Sequence, residues 1–501
     1  MLFTSAGFAF LYLPVVFAGF FLIGRRSEWL AAAWLLLASL IFYAHWQPAH
    51  TLLLLASIVW NFLVGRQIGT SSARSAAAAS APNASPRRWL ALGVTVNLLL
   101  LGYFKYANFL IDNLNLLLGS AIDIGRIELP IGISFFTFTQ IAFLADTYQK
   151  GLREYRPVHY GLFVTYFPHL VAGPVLHHAQ MMPQFSLADT YRPRFVHIAS
   201  GMAIFCIGLF KKVVIADGIA PYADSVFNAT AQGQIPTMAE AWLATLAYAA
   251  QLYFDFSGYS DMAIGLSRLF NIRLPYNFNS PYQCGSIIDF WRCWHISLSN
   301  FLRDYLYIAL GGNRRGAFIR YRNLMITMVL GGLWHGASWN FVIWGTLHGA
   351  YLLVNHGWRA LLGSAHARLA SGLPYRIAAW SCTLLTVMIG WVWFRATDLG
   401  SALTMMKAMF GILSATPSPA DAILWNQGLD LIIGFSLSAL ALAATVVLPN
   451  SNRLGERLIA YADKHESARA VMLGAAIMVA ALLVGLNTSR DAVSAFIYFN
   501  F

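Results

Sequence analysis

Long runs of apolar residues, separated by short polar connections, govern this chain from end to end. A helix needs about 20 residues to cross the hydrocarbon of a bilayer, so runs of this length predict membrane-crossing helices rather than strands. They are Gly7–Ile23, Trp29–Trp46, Ala49–Val64, Trp89–Ile111, Leu129–Ala145, Tyr160–Val175, Ile198–Ala216, Ala239–Phe256, Leu324–Val354, Arg376–Trp393, Leu431–Leu448 and Val471–Leu486. The run Tyr160–Val175 holds Pro168 and closes on Gly173-Pro174, which predicts a re-entrant segment. The fold class is an all-α polytopic membrane protein, read as one integral-membrane domain over 1–501.

Two stretches depart from this pattern. Residues 70–88 are rich in Ala and Ser, carry Arg74, Arg87 and Arg88, and contain no acid. They predict a flexible cytoplasmic linker. Between Ser286 and Gly312 the apolar spacing becomes that of short helices. Ser286 with Asp289 predicts a capped start, and Ile287, Trp291, Trp294, His295 and Leu298 recur on one helical face. Asp289 and Arg292, three apart, can pair. Past Ser299 an apolar stripe opposite Asn300, Asp304 and Tyr307 predicts an interfacial helix too short to span.

Charge placement orients these elements. Arg25, Arg26, the linker arginines and the group Arg453, Arg457, Lys464 and Arg469 mark cytoplasmic connections. Both termini are then expected in the periplasm. Arg314, Arg315, Arg320 and Arg322 precede Leu324–Val354, and Arg359, Arg368 and Arg376 follow it. That stretch therefore goes in and comes back as a helical hairpin turning at Gly331–Asn340. Composition agrees with a membrane chain: 58% of residues are hydrophobic and 11% charged, against about 25% charged in soluble domains. The net charge of +12 lies in short connections, which excludes a nucleic-acid patch. The run Phe8–Ile23 lacks a basic leader and a cleavage site, so it is expected to be a retained helix. Cys206, Cys284, Cys293 and Cys382 form no CxxC pair, and neither a disulfide nor a metal site is expected.

Candidate chemistry follows from polar groups set in apolar surroundings. His335 lies in GGLWHGASWN, where a titratable ring has lost water and needs an internal partner. It is either a core histidine bonded to a carbonyl or a proton-transferring site residue. The same two readings stand for His295. Asp255 and Asp261, in YFDFSGYSDMAIG, either satisfy helix ends or line a cavity. Lys105 stands late in a span and can snorkel to an interface. No HExxH, GxSxG or Walker loop is present.

The chain resembles a membrane-bound O-acyltransferase of the bacterial alginate O-acetyltransferase type. The residues that carry this are FWRCWHISLSNFLRDYLYIALGGNRRG (Phe290–Gly316), GGLWHGASWNFVIWGTLHG (Gly331–Gly349) and YFDFSGYSDMAIGL (Tyr253–Leu266), with the opening LFTSAGFAFLYLPVV and the closing FIYFNF. Two positions depart: Cys293 stands where such proteins usually carry Arg, and Ala309 where they often carry Pro. The resemblance implies a ring of tilted helices around a central catalytic chamber, with a cytoplasmic tunnel and an outer funnel meeting at His335. It implies that His335 is the invariant histidine and His295 a second polar group of the chamber. The implied activity moves an acetyl group from acetyl-CoA, with no bound cofactor, across the inner membrane to a hydroxyl acceptor. The acceptor belongs to an exported polysaccharide, reached through a periplasmic acetyl carrier or SGNH-hydrolase-like partner.

Such a transfer needs a base for the hydroxyl proton and donors for the developing oxyanion. His335 is the expected base, with a covalent acyl-histidine as the alternative. His295 would donate to the thioester carbonyl or orient His335. Trp334 and Trp339 are candidate oxyanion donors, and Asn340, Asp289, Trp294 and Asp261 candidate supports of the chamber. Arg268, Arg273, Arg314 and Arg315 are candidates for the donor phosphates, because the planar guanidinium fork suits phosphate. The competing readings are a transporter or flippase using His335 and Asp261 as a proton relay, and a scaffold of an export complex without chemistry.

Overall fold

The computed structural model describes residues 1–77, 85–151, 154, 156–171, 173–413, 422–489 and 496–497. No strand occurs among them. The main helices are α1 (Gly7–Gly24), α2 (Glu28–Ala44), α3 (Pro48–Ala77), α4 (Pro86–Leu118), α5 (Ile133–Lys150), α6 (Pro157–Thr165), α7 (Phe195–Ala231), α8 (Met238–Leu269), α9 (Ile287–Cys293), α10 (Ile296–Phe301), α11 (Ala317–His335), α12 (Trp339–Leu362), α13 (Ala365–Ser371), α14 (Leu373–Arg395), α15 (Leu399–Met409), α16 (Leu431–Val447), α17 (Ser451–Lys464) and α18 (Glu466–Thr488). Six of them are long and apolar enough to cross a membrane: α1, α3, α4, α7, α14 and α18. The pair α16 and α17, bent by 58°, makes a seventh if it counts as one span. The other predicted runs form shorter, more polar or broken helices. This is a multi-pass membrane protein.

Packing divides the chain into two compact units, one of residues 1–209, 259–275 and 455–495, the other of 210–258, 276–454 and 496–501. In the first, α1 and α2 lock through the Trp34 indole, which donates to the Val16 carbonyl at 3.1 Å, and through Tyr12, which donates to the Ala38 carbonyl at 2.8 Å. Buried amides join α3 to α4, where Asn97 donates to Asn61 Oδ1 at 2.6 Å. Such pairing is what apolar surroundings demand of a polar side chain. Within the run expected to be re-entrant, α6 ends at Thr165 and buried non-helical residues follow, including Tyr166, whose hydroxyl donates to Ser267 Oγ at 3.2 Å. Irregular backbone is tolerated here because protein covers it.

Two expectations in this unit need correction. Lys105 does not snorkel. It is 8% exposed and its ammonium donates to Ser134 Oγ at 3.3 Å, because an internal acceptor lies within reach. The stretch 70–88 is helical at both described ends, since α3 continues to Ala77 and a helix resumes at Ser85. Alanine is the best helix former, so an Ala-rich continuation extends the span. Residues 78–84 of that stretch lie outside the described residues.

In the second unit, α11 and α12 form the predicted hairpin, turning over Gly336–Ser338. Glycine permits their close approach: a Cβ on Gly332 would run into the Phe341 carbonyl, and one on Gly345 into the Met328 carbonyl. Polar groups of α7 and α8 are also paired here. Lys212 reaches Asp217 at 2.8 Å and Asp255 at 2.6 Å, all three nearly buried. Asp255 accepts a further bond from the Ile497 amide at 2.9 Å. Asp255 therefore takes part in a structural ion-pair cluster.

Candidate active site

His335 is the last residue of α11 and is 4% exposed. The rings of Trp334, Trp344 and Phe394 surround it, at centroid distances of 4.9, 5.1 and 5.1 Å. Gly336 follows in extended conformation, and a Cβ there would enter the Phe341 ring. The glycine thus lets the chain turn immediately after the histidine. A buried imidazole thus stands in an aromatic cage at the hairpin turn.

His295 reaches the same neighbourhood by a different route from the one its spacing suggested. No continuous helix carries Trp291, Trp294 and His295 on one face. Helix α9 stops at Cys293, Trp294 is extended, and His295 is left-handed with φ of 43°. A non-glycine residue in that region costs roughly 1–3 kcal/mol, which surrounding contacts must offset. Asn277 supplies them. Its backbone carbonyl accepts the Ile296 amide at 2.9 Å. Its side-chain oxygen accepts the Ser297 amide at 3.1 Å and the Ser297 hydroxyl at 2.9 Å, and lies 3.2 Å from His295 Nδ1. An oxygen that accepts a backbone N–H can only accept from the ring. Nδ1 of a neutral His295 therefore carries the proton, and Nε2 presents a lone pair. A neutral ring so held accepts a hydrogen bond at Nε2, which disfavours the role of donor to a thioester carbonyl.

The two histidines share a neighbour. The Trp334 ring lies 6.1 Å from His295 and 4.9 Å from His335. Phe256 packs edge-on against His295 at 4.8 Å and is itself covered by Phe496 at 5.5 Å, so Phe496 backs this side of the site. On the other side Trp344 lies between His335 and His348, whose rings are 5.1 and 4.8 Å away. His348 is fully buried, and neither ring nitrogen bonds to a described residue.

The remaining candidates separate. Trp334 is buried against both histidines, whereas Trp339 is 51% exposed at the start of α12, where its side chain points out of the hairpin. Asp289 is not a chamber residue. Its carboxylate is 45% exposed, accepts from Ser286 at 2.6 Å, and meets Arg292 at 3.2 Å and Arg359 at 3.7 Å. It clasps α9 to α12, while Ser286 caps α9 as its spacing predicted. Trp294 packs into an aromatic core with Phe278, Phe290 and Trp391. Asn340 donates to the Ala396 carbonyl at 2.8 Å and joins α12 to the end of α14. Asp261 is buried in the first unit.

Of the arginines, Arg314 and Arg315 are exposed in the turn before α11. Arg268 and Arg273 belong to the first unit, where Arg268 donates to Ser200 Oγ at 3.2 Å. Arg273 lines a cavity of about 600 Å³ with Arg194 and His197. Sequence reasoning missed Asn277, Phe394 and the helical series Trp344 and His348. The last had a visible signal, since 340, 344 and 348 repeat at helical spacing from the turn.

The sequence comparisons bear on this geometry. Residues 92–390 match the model of the membrane-bound O-acyltransferase family. This chain belongs to that family. The match takes in both histidines, both short helices around His295 and the whole hairpin. A peptidoglycan O-acetyltransferase of Helicobacter pylori is 44% identical over 440 residues, covering 82% of this chain and 80% of that one. A probable alginate O-acetylase, AlgI, of Pseudomonas aeruginosa is 46% identical over 415 residues, covering 82% and 75%. A teichoic acid D-alanyltransferase of Bacillus subtilis is 29% identical over 226 residues, covering 44% and 56%. The protein is an acyltransferase.

Proposed function

We propose that this acyltransferase moves an acetyl group from a cytoplasmic thioester, acetyl-CoA, across the inner membrane to a hydroxyl on the periplasmic side, for O-acetylation of an exported polysaccharide. The observation that carries the reading is His335, buried at the hairpin turn and joined to His295 through Trp334. The peptidoglycan and alginate enzymes among its relatives favour a glycan as the final acceptor.

In this reading the acceptor oxygen attacks the thioester carbon while a ring nitrogen of His335 takes its proton. The C–S bond breaks, and the proton passes from His335 to the leaving thiolate, so the histidine ends neutral. His295 accepts at Nε2, either from the incoming hydroxyl or from His335, and holds that partner in line. The Trp334 indole and the amides after Gly336 are the candidate oxyanion donors. Arg268, Arg273, Arg314 and Arg315 are the proposed cytoplasmic contacts of the donor phosphates. In this reading both termini lie in the periplasm, as the positive charge of the connections favours. A separate SGNH-hydrolase-like partner there would pass the acetyl group to the polymer.

The test uses purified protein in proteoliposomes with labelled acetyl-CoA and a periplasmic partner or glycan acceptor. Acetyl transfer by the wild-type chain and its loss in His335→Ala supports the reading. Transport of an unmodified solute without acetyl transfer would replace it.

A further inference from the structure

A cavity that no part of this reaction uses lies in the second unit. It has a volume of about 900 Å³ and is enclosed by the C-terminal turns of α12, by α13, by the N-terminal half of α14 and by the start of α9. That volume is in the range of small-molecule sites. Its lining divides into two chemistries. Arg359, Arg376 and His366 face it together with one acid, Asp289. That carboxylate is already shared, since Arg292 lies 3.2 Å and Arg359 3.7 Å from it. The polar part of the cavity therefore keeps an excess of positive charge.

Several of its polar atoms are unused. Arg359 gives one N–H to Ser286 Oγ at 3.0 Å, but its buried Nε has no hydrogen-bond partner among the described residues. Arg376 makes no ion pair or side-chain hydrogen bond among the described residues. The buried Asn355 side-chain oxygen likewise has no partner among the described residues. A buried donor without an acceptor is costly, and a guanidinium is best satisfied by an anionic oxygen. The rest of the wall is hydrocarbon. Val354, Leu373 and Ile377 line the cavity and are 71%, 64% and 54% exposed, an apolar surface that a hydrocarbon chain would cover.

We propose that this cavity binds an anionic glycerophospholipid of the cytoplasmic leaflet. Its phosphate lies between Arg359 and Arg376, and an acyl chain runs along the apolar face of α12 and α14. The depth fits, because Arg359, Arg368 and Arg376 mark this end of both helices as cytoplasmic by the distribution of charge. A basic cluster at that interface selects anionic headgroups over zwitterionic ones. The same phosphate chemistry occurs in acetyl-CoA, so the test must tell lipid from donor.

The experiment measures lipid retained by the purified full-length protein, using native mass spectrometry after exchange into detergent micelles doped with phosphatidylglycerol or phosphatidylcholine. Wild type should retain phosphatidylglycerol, and Arg376→Gln should reduce that retention about tenfold. Arg376 is exposed and unpaired, so this variant should fold. Ala378→Trp, which fills the apolar wall and keeps both arginines, should also lose the lipid. Neither variant should change the KM for acetyl-CoA. Equal retention of both lipids, or unchanged retention in both variants, overturns the proposal. Displacement of phosphatidylglycerol by acetyl-CoA, or a raised KM for acetyl-CoA in these variants, would likewise overturn it and make the cavity the donor site.

Discussion

The side-chain oxygen of Asn277 lies 3.2 Å from Nδ1 of His295 while accepting both the amide and the hydroxyl of Ser297. One atom thus holds the left-handed turn and sets the tautomer of the ring. Asn277→Ala leaves the Ser297 amide without its acceptor, at a cost of about 1–3 kcal/mol, and frees the imidazole to rotate. Turnover should fall at least tenfold with little change in KM for acetyl-CoA. Asn277→Asp keeps an acceptor oxygen and should restore most of the kcat. Equal loss in both variants, tracking only the melting temperature, would reduce Asn277 to a structural role.

His335→Ala should insert into the membrane normally and lose acetyl transfer by about 10²–10⁴-fold, the usual contribution of a general base. The comparison is single-turnover acetyl transfer at matched protein. Near-wild-type rates would remove His335 from the chemistry. A trapped acetyl-histidine on the wild-type protein would replace the general-base step with the covalent one.

Replacing Arg314 and Arg315 together with Gln should raise the KM for acetyl-CoA several-fold and lessen its salt sensitivity, since surface charge contacts are screened. Insertion should persist because Arg320 and Arg322 still mark the cytoplasmic side. An unchanged KM would assign the pair to topology.

The Lys212 cluster should govern stability. Lys212→Met leaves Asp217 and Asp255 buried beside each other without their cation and should cost about 3–5 kcal/mol. Asp255→Asn should cost less, because Lys212 keeps Asp217 and the Ile497 amide keeps an acceptor. Thermal unfolding in detergent reads the order directly, and a larger loss for Asp255→Asn would contradict it.

Cys293 offers a titration outside the spans. The neighbouring Cys284 thiol holds it below the ordinary thiol range. Because the thiolate is the reactive form, alkylation of Cys293 by iodoacetamide should rise with pH at a midpoint below that of a free cysteine. Cys284→Ala removes that neighbour and should move the midpoint upward. The same midpoint with and without Cys284 would show that the two thiols do not interact in solution.

Some of this architecture was determined by the order of residues alone. The helical, membrane-crossing character follows from apolar runs whose length the bilayer dictates. The hairpin of α11 and α12 follows from arginines on both sides of a glycine-broken run, and the Ser286 cap from a three-residue spacing. These signals are local, so neighbouring residues carry them. Tertiary structure alone decided the rest. His295 faces inward because Asn277, 18 positions earlier, stabilises a left-handed turn that its helical spacing concealed. The cage of His335 needs Phe394, and the ion pairs of Lys212 need Asp255, partners far along the chain. Asp289 and Trp339 share their motifs with the two histidines, yet burial sorts them to the exterior. Sequence proximity specifies which helix a side chain stands on. Whether that side chain meets a histidine, an ion-pair partner or lipid depends on which distant helix packs against it.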